Sequence, residues 1–158
     1  LTGKPLVGLH SQYLYAAALA SDASAGVKPG DILLPAFDAK KSRVFAGVYR
    51  ASADGLETVL TAGDYYPSEI SEKIAEGSRI IACGNGTPLI ADLFSGSDTI
   101  FDAVGDFLPG AEGMARAFER EYGKAPALYS DYETVLPYYA RKSDAEILHL
   151  QKLKEKNA

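Results

Sequence analysis

Residues 32–37 read ILLPAF, residues 38–42 read DAKKS and residues 43–50 read RVFAGVYR. Two apolar runs therefore flank five polar or small residues, which is the pattern of a β-hairpin with a loop of several residues. The branched and aromatic residues in both runs are typical of strands buried on at least one face. The predicted turn carries one carboxylate and three cations: Asp38, Lys40, Lys41 and Arg43. Such a turn can hold a phosphate or another polar ligand, but these residues alone favour a solvated turn.

The overall composition indicates one ordinary globular domain. The chain has 158 residues, of which 47% are hydrophobic and 23% charged, and this suits a single domain over residues 1–158. The formal net charge of −5 argues against independent binding to nucleic acid, which needs several cations on one face. No apolar stretch reaches the ~20 residues of a membrane span, and no signal peptide is visible. The single cysteine, Cys83, excludes an internal disulfide and favours the cytoplasm.

The first part of the chain predicts a strand, a helix and then the hairpin. Residues 6–9 form a short apolar run, Ser11 is a suitable helix N-cap, and residues 13–20 follow as a helix. After the hairpin, residues 56–61 predict a third strand, so the three adjacent strands make an antiparallel meander. The sequence begins at Leu1 and enters this pattern at once, so we expect it to be the interior of a longer protein.

The second part alternates between helix and strand patterns. The predicted helices cover residues 67–75, 89–94, 111–122 and a terminal segment that a capping box at Ser143 and Glu146 begins. The predicted strands cover residues 79–83 and 100–104, and residues 129–139 read as an extended aromatic segment. This alternation predicts an α/β fold with a mixed sheet and flanking helices.

The run Gly84-Asn85-Gly86-Thr87 lies between a predicted strand and a predicted helix. Glycines let backbone approach a ligand closely, and helix N-termini attract anions, so a nucleotide or phosphate could dock at this turn. The run is neither the dinucleotide fingerprint nor a Walker loop. A purely structural turn that needs left-handed backbone is the alternative, and the residues alone favour it. Asp38 has a similar alternative, as an aspartate that bonds its own turn.

No residues point clearly to catalysis. His10 and His149 lack the one-turn spacing of a metal-binding pair, so we expect ordinary structural or surface histidines. Cys83 ends an apolar strand and is expected to be an inert buried thiol. Four tyrosines lie close together in sequence: Tyr129, Tyr132, Tyr138 and Tyr139. They could stack on bases or form a partner surface, but an aromatic cover over the sheet is the favoured interpretation.

Four short motifs, in their order along the chain, resemble the TsaB (YeaZ) family of bacterial proteins, which is needed to make threonylcarbamoyladenosine at position 37 of tRNA. These are residues 5–8 leading into a helix, residues 38–40 at the hairpin, residues 84–86 after a strand and residues 137–141 near the end. The family hairpin carries Asp-Ala-Arg, and Lys40 keeps the charge of that arginine but not its bidentate fork. The family tail is close to Pro-x-Tyr-x-Arg, and this chain keeps Pro137, Tyr139 and Arg141.

The resemblance implies a ribonuclease H-like/actin-like ATPase lobe, corresponding to the second of two lobes with the first absent. It implies a cytoplasmic scaffold without catalytic or metal-binding residues, which supports a TsaD-like catalytic subunit together with a TsaE-like protein. A homodimer is compatible with it, contact with tRNA would come only through the complex, and no membrane is involved. ATP or ADP would bind either in the interlobe cleft, at the cofactor-binding candidates Asp38, Lys40, Gly84 and Gly86, or at a partner interface.

Two other functions stay open at the level of sequence. One is an enzyme of the same fold, either a glycoprotease/M22-like hydrolase or a carbamoyl- or phosphoryl-transferring relative. The His-x-x-x-His metal pair of TsaD-type relatives does not occur in this sequence. The other is a lobe that binds a nucleotide for regulation. Bound zinc or iron would favour the enzyme, and an ATP-dependent rise in melting temperature would favour the regulatory lobe.

Overall fold

A computed structural model describes residues 6–105, 107–124, 135–141, 143, 145–146 and 153. A five-stranded mixed sheet in the order β3-β2-β1-β4-β5 forms its centre. The strands are β1 (Ile32–Lys40), β2 (Arg43–Ser52), β3 (Gly55–Tyr65), β4 (Arg79–Cys83) and β5 (Ile100–Ala103). The first three form the predicted antiparallel meander, while β4 and β5 run parallel to β1. The predicted α/β class with a mixed sheet and flanking helices is thus confirmed.

The hairpin turn is shorter than the sequence suggested. Only Lys41 and Ser42 lie between β1 and β2, so Asp38 and Lys40 belong to the end of a strand and not to a loop. Lys40, Lys41 and Ser42 all have positive φ, at 64°, 55° and 57°. Left-handed backbone costs roughly 1–2 kcal/mol per residue without glycine. The Asp38 carboxylate offsets part of this cost because it accepts a hydrogen bond from the Lys40 N–H.

The helices are α1 (Ser11–Ser21), α2 (Pro67–Ser71), α3 (Pro88–Ala91) and α4 (Ala111–Lys124). The prediction for residues 67–75 was too long, because the chain leaves regular helix after Ser71. The prediction for 89–94 combines α3 with a separate 3-10 turn at Asp92–Phe94. None of the helices in the described ranges is long and apolar enough to cross a membrane.

The predictions at the start of the described chain were wrong in two respects. Residues 6–9 are irregular and not a strand, because they join no ladder of the sheet. A Cβ on Gly8 would lie 2.9 Å from the side chain of Val135. Ser11 is already helical, and the N-cap is the extended His10, whose side chain makes no capping bond. The capping box at the other end is confirmed: Ser143 N donates to Glu146 Oε2 at 2.8 Å, and Glu146 N donates to Ser143 Oγ at 3.2 Å.

The two faces of the sheet carry different cores. The face that we call the closed face is aliphatic and lies under α2, α3 and the 3-10 turn; it includes Ile32, Leu34, Ala36, Val44, Ala46, Val48, Ile80 and Ala82. The other, the open face, lies under α1 and includes Leu33, Tyr49, Ile81 and Cys83. Helix α4 packs on α1 at close range, since a Cβ on Gly113 would lie 2.6 Å from Ala18 Cβ. Strand alternation sends neighbouring residues such as Leu33 and Leu34 to opposite faces.

Candidate functional site

The predicted hairpin and glycine turn meet at one edge of the sheet. Strands β1 and β4 are parallel, with Pro35 opposite Cys83, so the turn at 84–86 that follows β4 lies beside the last part of β1. The N–H of Gly86 donates to the carbonyl of Ala36 at 3.0 Å. The N–H of Asp38 donates to Asn85 Oδ1 at 2.9 Å. The structure therefore brings together Asp38 and the 84–86 turn, which lie more than forty residues apart in sequence.

The Asp38 carboxylate is engaged by its own turn. Its Oδ1 accepts from Lys40 N at 2.7 Å, and its Oδ2 accepts from Lys40 Nζ at 2.6 Å. The bond from the Lys40 side chain, followed by the bond from the Lys40 N–H, lowers the pKa of Asp38. This is the local bonding that an aspartate makes in a turn. The carboxylate is thus anionic at neutral pH and oriented by Lys40.

The glycines of the turn lie against the backbone of β1. Gly84 has a φ of +96°, and a Cβ there would lie 2.3 Å from the Ala36 carbonyl oxygen. A Cβ on Gly86 would lie 2.8 Å from the Phe37 carbonyl carbon. Close packing of the turn on β1 therefore accounts for both glycines. A nucleotide site at Asp38, Lys40, Gly84 and Gly86 stays a prediction.

A cluster of charged residues that sequence reasoning missed lies beside the hairpin. Asp64, near the end of β3, has a side chain only 7% exposed, and its Oδ1 lies 2.9 Å from Arg43 Nε. Arg43 Nη2 also donates to the Asp64 carbonyl at 2.7 Å, and the guanidinium lies 4.0 Å from the centre of the Tyr66 ring. Burial opposes the charge of Arg43, but the bonds to Asp64 and Tyr66 outweigh it and raise its pKa. The sequence carries little signal for this pair, because Asp64 lies beyond the strand predicted at 56–61 and β3 also carries Glu57.

Arg141 joins the tail motif to the same cluster. Its Nη1 donates to the Ala39 carbonyl at 3.4 Å, and its Nε lies 4.0 Å from Asp64 Oδ2. The segment 135–141 thus reaches the hairpin, although about a hundred residues separate them in sequence. Three of the motifs that carry the family resemblance, at 38–40, 84–86 and 137–141, consequently lie in one region of the molecule.

A cavity of about 650 Å³ opens on the open face beside this region. We call it the aromatic cavity, and its lining includes His10, Tyr15, Phe37, Phe45, Tyr138, Tyr139 and Arg141. The Tyr15 and Phe37 rings meet edge to face at 4.8 Å, and those of His10 and Tyr138 do so at 4.7 Å. The sequence did not predict that these residues share one site, because they come from four separate segments.

The remaining candidates show no assembled reactive centre. Cys83 is fully buried, and burial raises the pKa of its thiol to about 12, which fits the inert thiol that was predicted. No group of His, Cys, Asp and Glu that could hold a metal occurs among the residues that the structure describes. His149, Tyr129 and Tyr132 lie outside the described residues. Tyr138 and Tyr139 are exposed at the aromatic cavity and do not cover the sheet.

Comparisons with known proteins give the fold. No family model matches the sequence, and no curated protein matches it. Among solved structures, an uncharacterized protein with similarity to peptidase YeaZ from Pseudomonas aeruginosa matches with a TM-score of 0.64 and 15% identity, covering 87% of this chain and 60% of that one. YeaZ from Pseudomonas aeruginosa matches with a TM-score of 0.64 and 17% identity, covering 86% of this chain and 59% of that one.

The structural match bears out the predicted fold class. The chain has the fold of part of a YeaZ-type protein, and it spans about three-fifths of the length of the two relatives. At such identities the likeness concerns the fold, while activity must be argued from the site.

Proposed function

We propose that this protein is a TsaB/YeaZ-type scaffold subunit of the machinery that makes threonylcarbamoyladenosine in tRNA. Its partners would be a TsaD-like catalytic subunit and a TsaE-like protein. The protein would work in the cytoplasm, and its contact with tRNA would come through the complex. The chain would form one lobe of a two-lobed molecule.

The convergence of the family-like motifs carries this proposal. Arg141 of the tail motif donates to Ala39 in the hairpin motif, and Asp38 of the hairpin donates to Asn85 in the glycine motif. Motifs that matched only by chance would have no reason to contact one another in the fold. The YeaZ-type fold supports the same proposal independently, because it rests on the whole backbone and not on short motifs.

The outer face of α4 suits the partner contact that a scaffold needs. Met114 and Phe118 are exposed and lie four residues apart, so they share one face of the helix, and the exposed Leu108 precedes it. Methionine and aromatic residues are enriched at protein interfaces. We propose that this face adds to the contact with the TsaD-like subunit, most of which the family resemblance places on the other lobe.

A genetic test measures threonylcarbamoyladenosine in tRNA by mass spectrometry, in cells of the source organism depleted of this protein. We expect the modification to fall and to return when the protein is restored. Unchanged modification in fully depleted cells would contradict the proposed function.

A binding test uses the purified TsaD-like subunit of the same genome and follows complex formation by sedimentation. The double variant Met114→Glu, Phe118→Glu should weaken the complex by at least about tenfold, as expected when interface anchors are lost. Arg116→Gln, on the same helix, is the control, because Arg116 is exposed and pairs with Glu112 on its own helix. A complex that forms equally well with the double variant would exclude this face.

A further inference from the structure

The floor of the aromatic cavity is a pair of facing phenylalanines. Phe37 of β1 lies directly opposite Phe45 of β2, so both side chains are on the open face. Both rings are only partly buried, and the ring of Tyr15 in α1 stands edge-on to that of Phe37, with the centroids 4.8 Å apart. Ala62 and Gly63 of β3 also line the cavity, and their small size leaves space beside the phenylalanines. The described residues therefore leave aromatic surface accessible at the bottom of a concave site, where a flat ring can stack.

The rim of the cavity is also aromatic. The rings of His10 and Tyr138 meet edge to face, and Tyr139 is 84% exposed although it lines the cavity. Tyrosine has few rotatable bonds, so ordering its side chain around a ligand costs little conformational entropy. The cavity therefore offers aromatic side chains both below and beside a bound molecule.

The lining of the cavity offers no free charge to a ligand. Among the described residues that line it, Arg141 carries the one formal charge at pH 7. Its guanidinium is already engaged, since Nε lies 4.0 Å from Asp64 Oδ2 and Nη1 donates to the Ala39 carbonyl at 3.4 Å. A charged ligand would lose its hydration in this site without gaining a partner of opposite charge. The lining therefore favours an uncharged ligand.

One polar side chain of the lining can recognise the edge of such a ligand. Gln12, in the first turn of α1, is partly buried, and its carboxamide makes no hydrogen bond to any other residue that the structure describes. A carboxamide presents donor N–H groups beside an acceptor oxygen. It therefore pairs with a ring edge on which an acceptor lies beside a donor, as when glutamine binds adenine through two hydrogen bonds.

We propose that the aromatic cavity binds a small, uncharged nitrogen heterocycle, such as a purine nucleoside without phosphate. The ring stacks on Phe37 and Phe45, and its donor–acceptor edge pairs with the Gln12 carboxamide. A volume of about 650 Å³ falls within the range of small-molecule sites, and the lining follows their usual pattern of apolar walls with few polar groups. Neither Asp38 nor Gly84 lines the cavity, so this site is distinct from the predicted nucleotide site, and it does not depend on the proposed scaffold function.

The test uses 2-aminopurine riboside, an uncharged fluorescent nucleoside whose ring carries an amino donor beside an acceptor nitrogen. The protein has no tryptophan, so fluorescence excited beyond the tyrosine absorption reports the ligand alone. We expect saturable quenching and a rise in anisotropy, with a dissociation constant on the order of 0.1–1 mM, as for ligands of this size. The 5′-monophosphate of the same riboside should bind no more tightly, because Arg141 is already engaged.

Two variants and a second nucleoside locate the binding site. Phe45→Leu keeps an apolar side chain but removes the ring, and should weaken 2-aminopurine riboside by about 3–10-fold. Gln12→Leu removes the carboxamide and should also weaken it by about 3–10-fold. Purine riboside, which lacks the amino donor, should compete more weakly in the unchanged protein and lose little further affinity in Gln12→Leu. Phe101→Leu is the ring control and should leave binding unchanged, because Phe101 is partly buried on the closed face.

Each result decides for or against the site. Circular dichroism and melting temperature establish that every variant is folded before binding is measured. If a variant does not fold, the comparison of the three ligands in the unchanged protein still decides. No saturable binding, tighter binding of the 5′-monophosphate, or equal loss in Phe45→Leu and Phe101→Leu would overturn the proposal. Equal loss of both ribosides in Gln12→Leu would overturn the pairing with Gln12.

Discussion

The closed and open faces of the same sheet differ in how completely they are covered. The closed face has aliphatic side chains from all three meander strands and β4, sealed by Ile70, Ile74, Ile90 and Phe94. The open face is sealed over Leu33, Ile81 and Cys83 by α1. Towards the hairpin, the residues that the structure describes leave a cavity on this face, which Phe37, Phe45 and Tyr15 help to line.

This difference places a packed core on one face of the sheet and a cavity on the other. Close packing on one face supplies folding free energy, and it leaves no room for a ligand. On the other face, α1 begins at Ser11, and among the described residues the aromatic side chains near its start line a cavity. A sheet can therefore hold a rigid site on one face because its other face is packed throughout.

Truncation of one side chain on each face tests this difference most strongly. Leu34→Ala on the fully buried closed face should lower the free energy of unfolding by about 2–5 kcal/mol, because a cavity is left in a packed core. Phe45→Ala on the open face should cost only about 1–2 kcal/mol, because the ring is already partly exposed. Urea unfolding measures both, and a larger loss for Phe45→Ala would break the comparison.

A substitution at Gly84 tests how closely the turn at 84–86 packs against β1. A methyl group at Gly84 would contact both the backbone carbonyl of Ala36 and the Phe37 ring on the open face. With the positive φ of this residue, Gly84→Ala should cost about 2–4 kcal/mol. Gly77→Ala is the matched control, since Gly77 also has positive φ but no atom within 4 Å of the new methyl group. It should cost about 1–2 kcal/mol in thermal or urea unfolding. Equal costs would mean that the turn is not packed against β1.

Alkaline pH tests how well the open face is sealed under α1. Burial raises the pKa of Cys83 from 9.0 to about 12, so the folded protein keeps this proton where the unfolded chain loses it. The stabilising contribution is complete below pH 9 and is lost as the pH rises from 9 towards 12. At pH 10 the loss should be about 1 kcal/mol.

Unfolding free energies measured between pH 8 and pH 10 give the slope of stability against pH. The Cys83→Ala variant should show a flatter slope over the same interval. Buried Tyr49 and half-buried Tyr13, whose pKa values burial also raises, affect stability mainly above pH 10, where the unfolded tyrosines ionise. An identical slope in both proteins would show that water reaches Cys83.

The elements with strong local patterns were predicted well. β4 was predicted at its observed bounds, and the hairpin, α1 and α4 were predicted within a few residues, because apolar spacing and glycine stops are local signals. The prediction of a strand at 6–9 was wrong because a short apolar run fits a strand as well as an irregular segment. Only the lack of hydrogen bonds to a neighbouring strand decides against a strand there. The loop at 38–42 was predicted too long because the Asp38 bond to Lys40 stabilises a backbone that the residue types disfavour.

The sequence by itself determined the α/β class, the meander and the residue types near the hairpin, because periodicity and turn chemistry act over a few residues. Only the tertiary structure decided that Asp64 neutralises Arg43 and that Phe37, Phe45, Tyr138 and Arg141 share one cavity. These groups come from distant segments, and their meeting depends on strand register and on the packing of α1. Local sequence patterns do not encode such long-range placement.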